Sequence, residues 1–289
     1  MCQLVLSFAY LKSLSSIAPI LRIIPTSGSN PVVVLADDMN EYVCKYIGRT
    51  PAKKLLIEYL CSAFASIWGI SVPEPAFVKI LAEHVPGEML SNSFHAQYFE
   101  IPTIGSLNYP ESKEIDKSVI ASWRSKPSQI KWITNKEDFL QIGLFDLWLA
   151  NEDRNHNNFN LLLNPIIGGI EVMAIDHEKC FNSGIIDPVR PPYQLTVDES
   201  ILSSDIVPLL FRQGDELDRL KDVILGEFPG WVEACQNQLV EIIQLIPLEW
   251  GINREEIEEF LNSNIFAPLW RDETEHNFRQ YITDSFVNR

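Results

Sequence analysis

Asp153 and Asn158, set within Asn151-Glu-Asp-Arg-Asn-His-Asn-Asn158, are followed by a second carboxylate, Asp176, at the far side of a predicted hairpin. Two carboxylates and an amide so arranged suit phosphoryl transfer. That reaction leaves little covalent work to a protein. It needs oxygen ligands for a divalent cation, positive charge on the phosphates and an acceptor held in line. Asp153 can orient a substrate hydroxyl or accept its proton, and Asn158 and Asp176 offer the oxygen atoms that a hard cation such as Mg2+ prefers. The D-x-x-x-x-N spacing alone suits turn capping equally well; the helix before it and the hairpin after it give it weight.

Lys45 and Glu58 form a second constellation. A strand lysine followed by a helix glutamate can make an ion pair that sets an ammonium on nucleotide phosphates, although two solvated surface charges are the plainer reading of the pair alone. Gly28, with Ser27, Ser29 and Asn30, can lay backbone N–H groups over phosphates as turn nests do, and the same residues suit an ordinary hairpin loop. His156 and His177 flank the carboxylates and read as structural hydrogen-bonders. Arg154 reads as a partner for a neighbouring carboxylate, and Trp148 and Phe181 as core aromatics.

These side chains need elements to position them. Val32-Val-Val-Leu35 reads as a strand, Asp37-Asp-Met-Asn40 as a tight turn, and Glu41 to Ile47 as a second strand with Val43, Lys45 and Ile47 on one face. Thr50-Pro51 opens a helix that runs to about Trp68, with Glu58 on its flank. Val72 to Ile80 reads as an irregular entry to another strand, and Ile101–Gly105 with the polar run Asn108–Lys117 as a connector between two lobes. Helical periodicity returns over Lys136–Ala150. Phe159–Leu163 and Ile170–Ile175 then read as a hairpin closed by Asn164-Pro165 and Gly168-Gly169, and everything after Ser200 as helices interrupted at Gly214, Pro229-Gly230, Pro247 and Gly251.

Composition narrows the function classes. The net charge is −16, which disfavours direct nucleic-acid binding. From Ile201 onward, 17 Asp/Glu face 7 Lys/Arg, a solvated acidic helix surface or a face for a basic partner. No apolar run is long enough to span a membrane. Met1 to Ile24 lacks a basic leading end and reads as packed structure, not a secretion signal. Five scattered cysteines without a C-x-x-C pair fit a reduced, cytoplasmic setting.

The run Phe145 to Leu161 with Ala174-Ile-Asp-His177 resembles the HipA-like kinase family, and the phosphatidylinositol-kinase-like catalytic loops are similar. Asn30-Pro-Val-Val-Val, Tyr42-Val-Cys-Lys45, Glu58 and Pro73-Glu-Pro75 fall where that family has its nucleotide strand, lysine, helix glutamate and strand approach. The resemblance implies an α+β, two-lobed protein-kinase-like fold: a sheet-rich N-terminal nucleotide-binding lobe over residues 1–106 and a mostly helical catalytic lobe over 107–289. It implies ATP and Mg2+, with Asp153 as catalytic base, Lys45 on the phosphates paired with Glu58, and Asn158 and Asp176 as metal ligands. The acceptor it implies is a serine or threonine of a protein. Toxin members of the family pair with a small DNA-binding antitoxin, and some modify a serine of the glycine loop, a position that Ser27 or Ser29 would fill. The sequence departs from the family at Asn155, which displaces the usual Asp-Arg-His histidine, and at Asp176-His-Glu178 in place of Asp-Phe-Gly. Its length suits a compact kinase domain without the extra N-terminal subdomain of full-length HipA toxins. A small-molecule kinase, a nucleotidyl transferase and a non-catalytic nucleotide- or partner-binding module are the alternatives.

Overall fold

In the computed structural model, residues 11–26, 29–48, 50–90, 95–187 and 189–287 are described. Six strands form one sheet: β1 (Lys12–Ser15), β2 (Arg22–Ile23), β3 (Val32–Leu35), β4 (Glu41–Lys45), β5 (Pro75–Lys79) and β6 (Thr103–Leu107), in the order β1-β5-β6-β4-β3-β2. β2, β3 and β4 are an antiparallel meander, with Val32 opposite Cys44 and Arg22 opposite Val33. The Asp37–Asn40 turn predicted from sequence joins β3 to β4: Met39 takes φ 66° and the Asn40 N–H bonds Asp38 Oδ1 at 3.1 Å.

Strand alternation makes both faces of this sheet apolar. Tyr42 and Cys44 on β4, with Tyr46 beyond it, Val32, Val34, Ala76 and Val78 close a core on one side. On the other side Phe77 and Ile104 join the main core around helix α1 (Ala52–Trp68). That helix is buried nearly all round because it lies between the sheet and the helical part, so its apolar stripe is wider than one face requires. Pro51 stands just outside its first turn, and Gly69 (φ 74°) ends it in the left-handed conformation.

Three sequence readings are corrected. Ile101–Gly105 is not a connector: Thr103–Leu107 is the strand between β5 and β4, with Gly105 opposite both Cys44 and Ala76. A Cβ on Gly105 would lie 2.9 Å from Val78 Cγ2 and 3.2 Å from Cys44 Sγ, so close side chains on both neighbours require the glycine that made the segment look like a loop. Asn164-Pro165 is not a turn either. Strands β8 (Leu161–Ile166) and β9 (Gly169–Ala174) pair through those residues, and Ile167-Gly168 turns the chain, with Gly168 at φ 90°. Finally, Pro229-Gly230 does not interrupt its helix. Asp215–Gln244 is continuous, because the burial of Leu225, Phe228, Val232 and Cys235 on one side outweighs the hydrogen bond that proline removes.

The polar run after β6 carries the chain away from the large sheet to β7 (Lys113–Glu114), which pairs with β8. Helix α2 (Lys117–Ser125), capped by the Asp116 carboxylate, and helix α3 (Asp138–Trp148) follow. Gly143 of α3 sits against Leu202, where a Cβ would come within 2.3 Å of a leucine methyl. Among the described residues no helix is long and apolar enough to cross a membrane.

Candidate active site

Helix α3 launches the acidic–amide segment from a fixed base. Trp148 donates its indole N–H to the Ile265 carbonyl at 3.0 Å and accepts at its own carbonyl from Trp270 Nε1 at 2.7 Å. Just beyond, Ala150 turns left-handed (φ 49°) and the Asn151 N–H returns to the Asp146 carbonyl at 2.9 Å. The Asp146 side chain, fully buried one turn earlier, organises the loop. It accepts from Asn151 Nδ2 at 2.9 Å and pairs with the guanidinium of Arg154, which is itself fully buried. Burial pushes the Asp146 carboxyl up to about 6, with Arg154 and Asn151 opposing. Arg154 also donates to the carbonyls of Asn160 (3.4 Å) and Ile175 (2.8 Å). One cation thus ties the end of α3, the loop and the residue before Asp176.

On this frame Asp153 is half-buried. Its Oδ2 accepts from Asn158 Nδ2 at 2.9 Å and from Asn160 Nδ2 at 3.1 Å, and its N–H donates to Asn151 Oδ1 at 3.3 Å. The Ile175 N–H bonds the Asn160 carbonyl at 3.0 Å, which sets the end of the hairpin beside the loop. Asp176 follows in the left-handed region (φ 57°), its carboxylate 39% exposed.

Lys45 reaches this carboxylate from the sheet. Its Nζ lies 2.7 Å from Asp176 Oδ1, 2.9 Å from Glu58 Oε2 and 3.6 Å from Glu178 Oε2. Burial works against the ammonium, but the carboxylates of Glu58, Asp176 and Glu178 outweigh it and hold the Lys45 pKa above the ordinary lysine value. Burial likewise opposes the charge on Glu58, and Lys45 with His177 more than offsets it, keeping Glu58 below the usual carboxylate range. Glu58 Oε2 also accepts the His177 backbone N–H at 2.9 Å, so the helix glutamate holds both the lysine and the segment carrying Asp176.

The sequence-predicted residues therefore fall into two groups, Lys45, Glu58 and Asp176 in one and Asp153 and Asn158 in the other, on segments linked by the Ile175 N–H to Asn160 carbonyl bond. Asn158 and Asp176 carry oxygen donors of the type a hard divalent cation prefers; no cage of three or more His, Cys, Asp or Glu occurs among the described residues. In the loop between β2 and β3, Asn30 (φ 45°) donates its N–H to Thr26 Oγ1 at 3.0 Å and accepts the Thr26 N–H on Oδ1 at 2.9 Å, so this amide is engaged within the loop. Ser29 lies in the same loop. Gly28 and Ser27 lie outside the described residues. His177 is fully buried: its ring packs edge-on to Phe145 and its Nδ1 faces Glu58 Oε1 from 3.8 Å, beyond hydrogen-bond reach, so its role beside the site is structural as the sequence suggests. His156 is exposed and contacts Asn157.

Sequence reading passed over Asp146, Asn151, Asn160 and Glu178. Asn160 repeats the amide type of Asn158 two residues on, a signal that could have been used. Asp146 carries none, lying among the buried apolar residues at the end of α3. The loop is closed by Glu152, whose carboxylate accepts from Ser183 and, at 3.0 Å, from Tyr193. Phe181, Asn182 and Ser183 form a left-handed turn (φ 56°, 48° and 61°), with the Phe181 and Asn182 N–H groups on the carbonyls of Leu149 and Ala150.

A strand lysine paired to a helix glutamate, below a hairpin-linked Asp–Asn–Asp set, is the framework of a kinase fold. The proinflammatory kinase CtkA of Helicobacter pylori has the same fold, with a TM-score of 0.54 at 14% identity over 96% of this chain and 99% of that one. The Golgi casein kinase with Mn/ADP bound aligns at a TM-score of 0.42 and 12% identity, over 95% of this chain and 75% of that one. The sequence matches the HipA-like kinase model over residues 17–188. The chain belongs to the HipA-like kinase family. No functionally curated protein sequence matches it.

Proposed function

We propose that this protein transfers the γ-phosphate of ATP, as its Mg2+ complex, to a hydroxyl, that of a serine or threonine in a protein. The observation that carries the reading is the convergence of Lys45, Glu58 and Asp176 at 2.7–2.9 Å beside the loop on which Asp153 meets Asn158. Mg2+ bound through Asn158 and Asp176 would neutralise charge on the phosphates. Lys45, steadied by Glu58, binds phosphate oxygens as a cation. Asp153, fixed by two amide donors, orients the acceptor hydroxyl and takes its proton as the new P–O bond forms and the bond to ADP breaks. Nothing in this sequence of events uses the buried His177 ring.

The test is mass spectrometry of candidate acceptor proteins, and of the protein itself, after incubation with ATP and Mg2+. A phosphoryl adduct on serine or threonine is expected, and a nucleotidyl adduct would overturn the reading. Asp153→Ala and Asp176→Ala are each expected to lower the rate by about 10²–10⁴-fold with folding retained. Turnover near the parent rate in either variant would remove that residue from the role given.

A further inference from the structure

One charged group at the site has no part in the reaction above. Glu178 closes the Asp176-His-Glu178 motif and is largely buried, its side chain 14% exposed. Its Oε1 accepts from Lys54 Nζ, on the first turn of α1, at 3.2 Å. Its Oε2 faces Lys45 Nζ from 3.6 Å and has no hydrogen bond of its own. A buried carboxylate oxygen without a donor is costly unless something keeps a charge beside it, and Lys45 is the charge it faces. Two lysines, one from the sheet and one from α1, thus converge on a single carboxylate just past Asp176.

We propose that Glu178 is a positioning residue: through Lys54 it clamps α1 to the Asp176 segment, which keeps Glu58 opposite Lys45, and its second oxygen faces Lys45 so that the ammonium stays in register when Asp176 engages a cation. The effect on nucleotide use rests on the proposed ATP reaction; the clamp itself does not. Glu58 is already joined to that segment through the His177 N–H, so the clamp acts on a bond that can be followed directly.

The experiment has two readouts on the full chain. Without nucleotide, hydrogen exchange of the His177 amide is expected to speed up about tenfold in Glu178→Gln and in Lys54→Met, as for loss of one charge-assisted contact. The double variant should be no faster than either single variant. Lys54→Arg should retain parent protection, and amides of the Asp215–Gln244 helix should be unchanged throughout. Parent-like exchange in Glu178→Gln, or additive effects in the double variant, would overturn the proposal. With nucleotide, Glu178→Gln should raise KM for ATP about tenfold and change kcat by less than about twofold. An unchanged KM in an active enzyme would overturn the positioning role and leave the kinase reading standing. An inactive parent enzyme would overturn the kinase reading and leave the exchange result to decide the clamp. If Glu178→Gln does not fold, the half-buried Lys54 variants carry the same comparison.

Discussion

At the residue scale, the site depends on buried charges that are satisfied on several sides at once. Arg154 is the clearest case: fully buried, paired to Asp146 and bonded to two carbonyls, it is where a single truncation should be felt most. Breaking one side of a buried ion pair strands the other charge, so Arg154→Met is expected to lower stability by about 3–5 kcal/mol. The double variant Asp146→Leu/Arg154→Met should recover part of that loss, because neither charge is then left alone. Urea denaturation of the three variants checks this; a double variant as unstable as the sum of the two singles would contradict it. The Lys45–Glu58 pair was legible in the sequence because near-regular elements fix its spacing, and the structure places the two groups 2.9 Å apart; the roles of Asp153, Asn158 and Asp176 belong to the proposed reaction. Glu178 was not, since Lys45 and Lys54 come from far away in the chain and only folding brings them to it; Asp146 was passed over for its place among buried apolar residues of α3, although its partners Asn151 and Arg154 are close in sequence.

At the element scale, readings that rest on local bonding held better than those that rest on a lone glycine or proline. Asp37–Asn40 stood out because its residues bond locally, and the structure keeps that bonding: Asp38 accepts from Asn40 and, at 2.8 Å, from the Tyr42 hydroxyl. Burial opposes the Asp38 charge, but these hydrogen bonds outweigh it and hold the carboxyl below its ordinary value. The sign follows: this stabilisation is fully present above the unfolded value of about 3.9 and is lost as pH falls through the lower folded value. Asp38→Asn should therefore cost up to about 1 kcal/mol at pH 7, with the gap to the parent narrowing below about pH 4. Urea midpoints at both ends of that range test it, and a gap of constant size would refute the assignment. Thr103–Leu107 and Pro229 show the opposite case. A glycine in a strand and a proline in a helix are local signals to stop, and tertiary packing overrode both.

For the whole molecule, the two-lobe outline was legible but the sharing of one core was not. Apolar periodicity marks α1 as buried without saying that its two sides face different parts of the chain. Phe77 and Ile104 from the sheet, α1, α3 and the helices Asp215–Gln244 and Pro268–Val287 all contribute to one cluster. A core continuous across both parts predicts a single unfolding transition, with calorimetric and van't Hoff enthalpies in agreement. Two resolved transitions in a scanning calorimeter would show that the lobes melt separately.

Three side-chain bonds also strap the sheet and α1 to the helices: Tyr59 Oη to the Ile242 carbonyl (2.8 Å), Trp250 Nε1 to the Pro102 carbonyl (2.8 Å) and Gln141 Nε2 to the Trp68 carbonyl (2.7 Å). A clamshell rotation of one half against the other would shear all three and uncover the aromatic contact of Phe77 with Trp250. The sheet with α1 and the helices behind it are thereby expected to move as one body, because any shift between them costs all three bonds and the aromatic contact together.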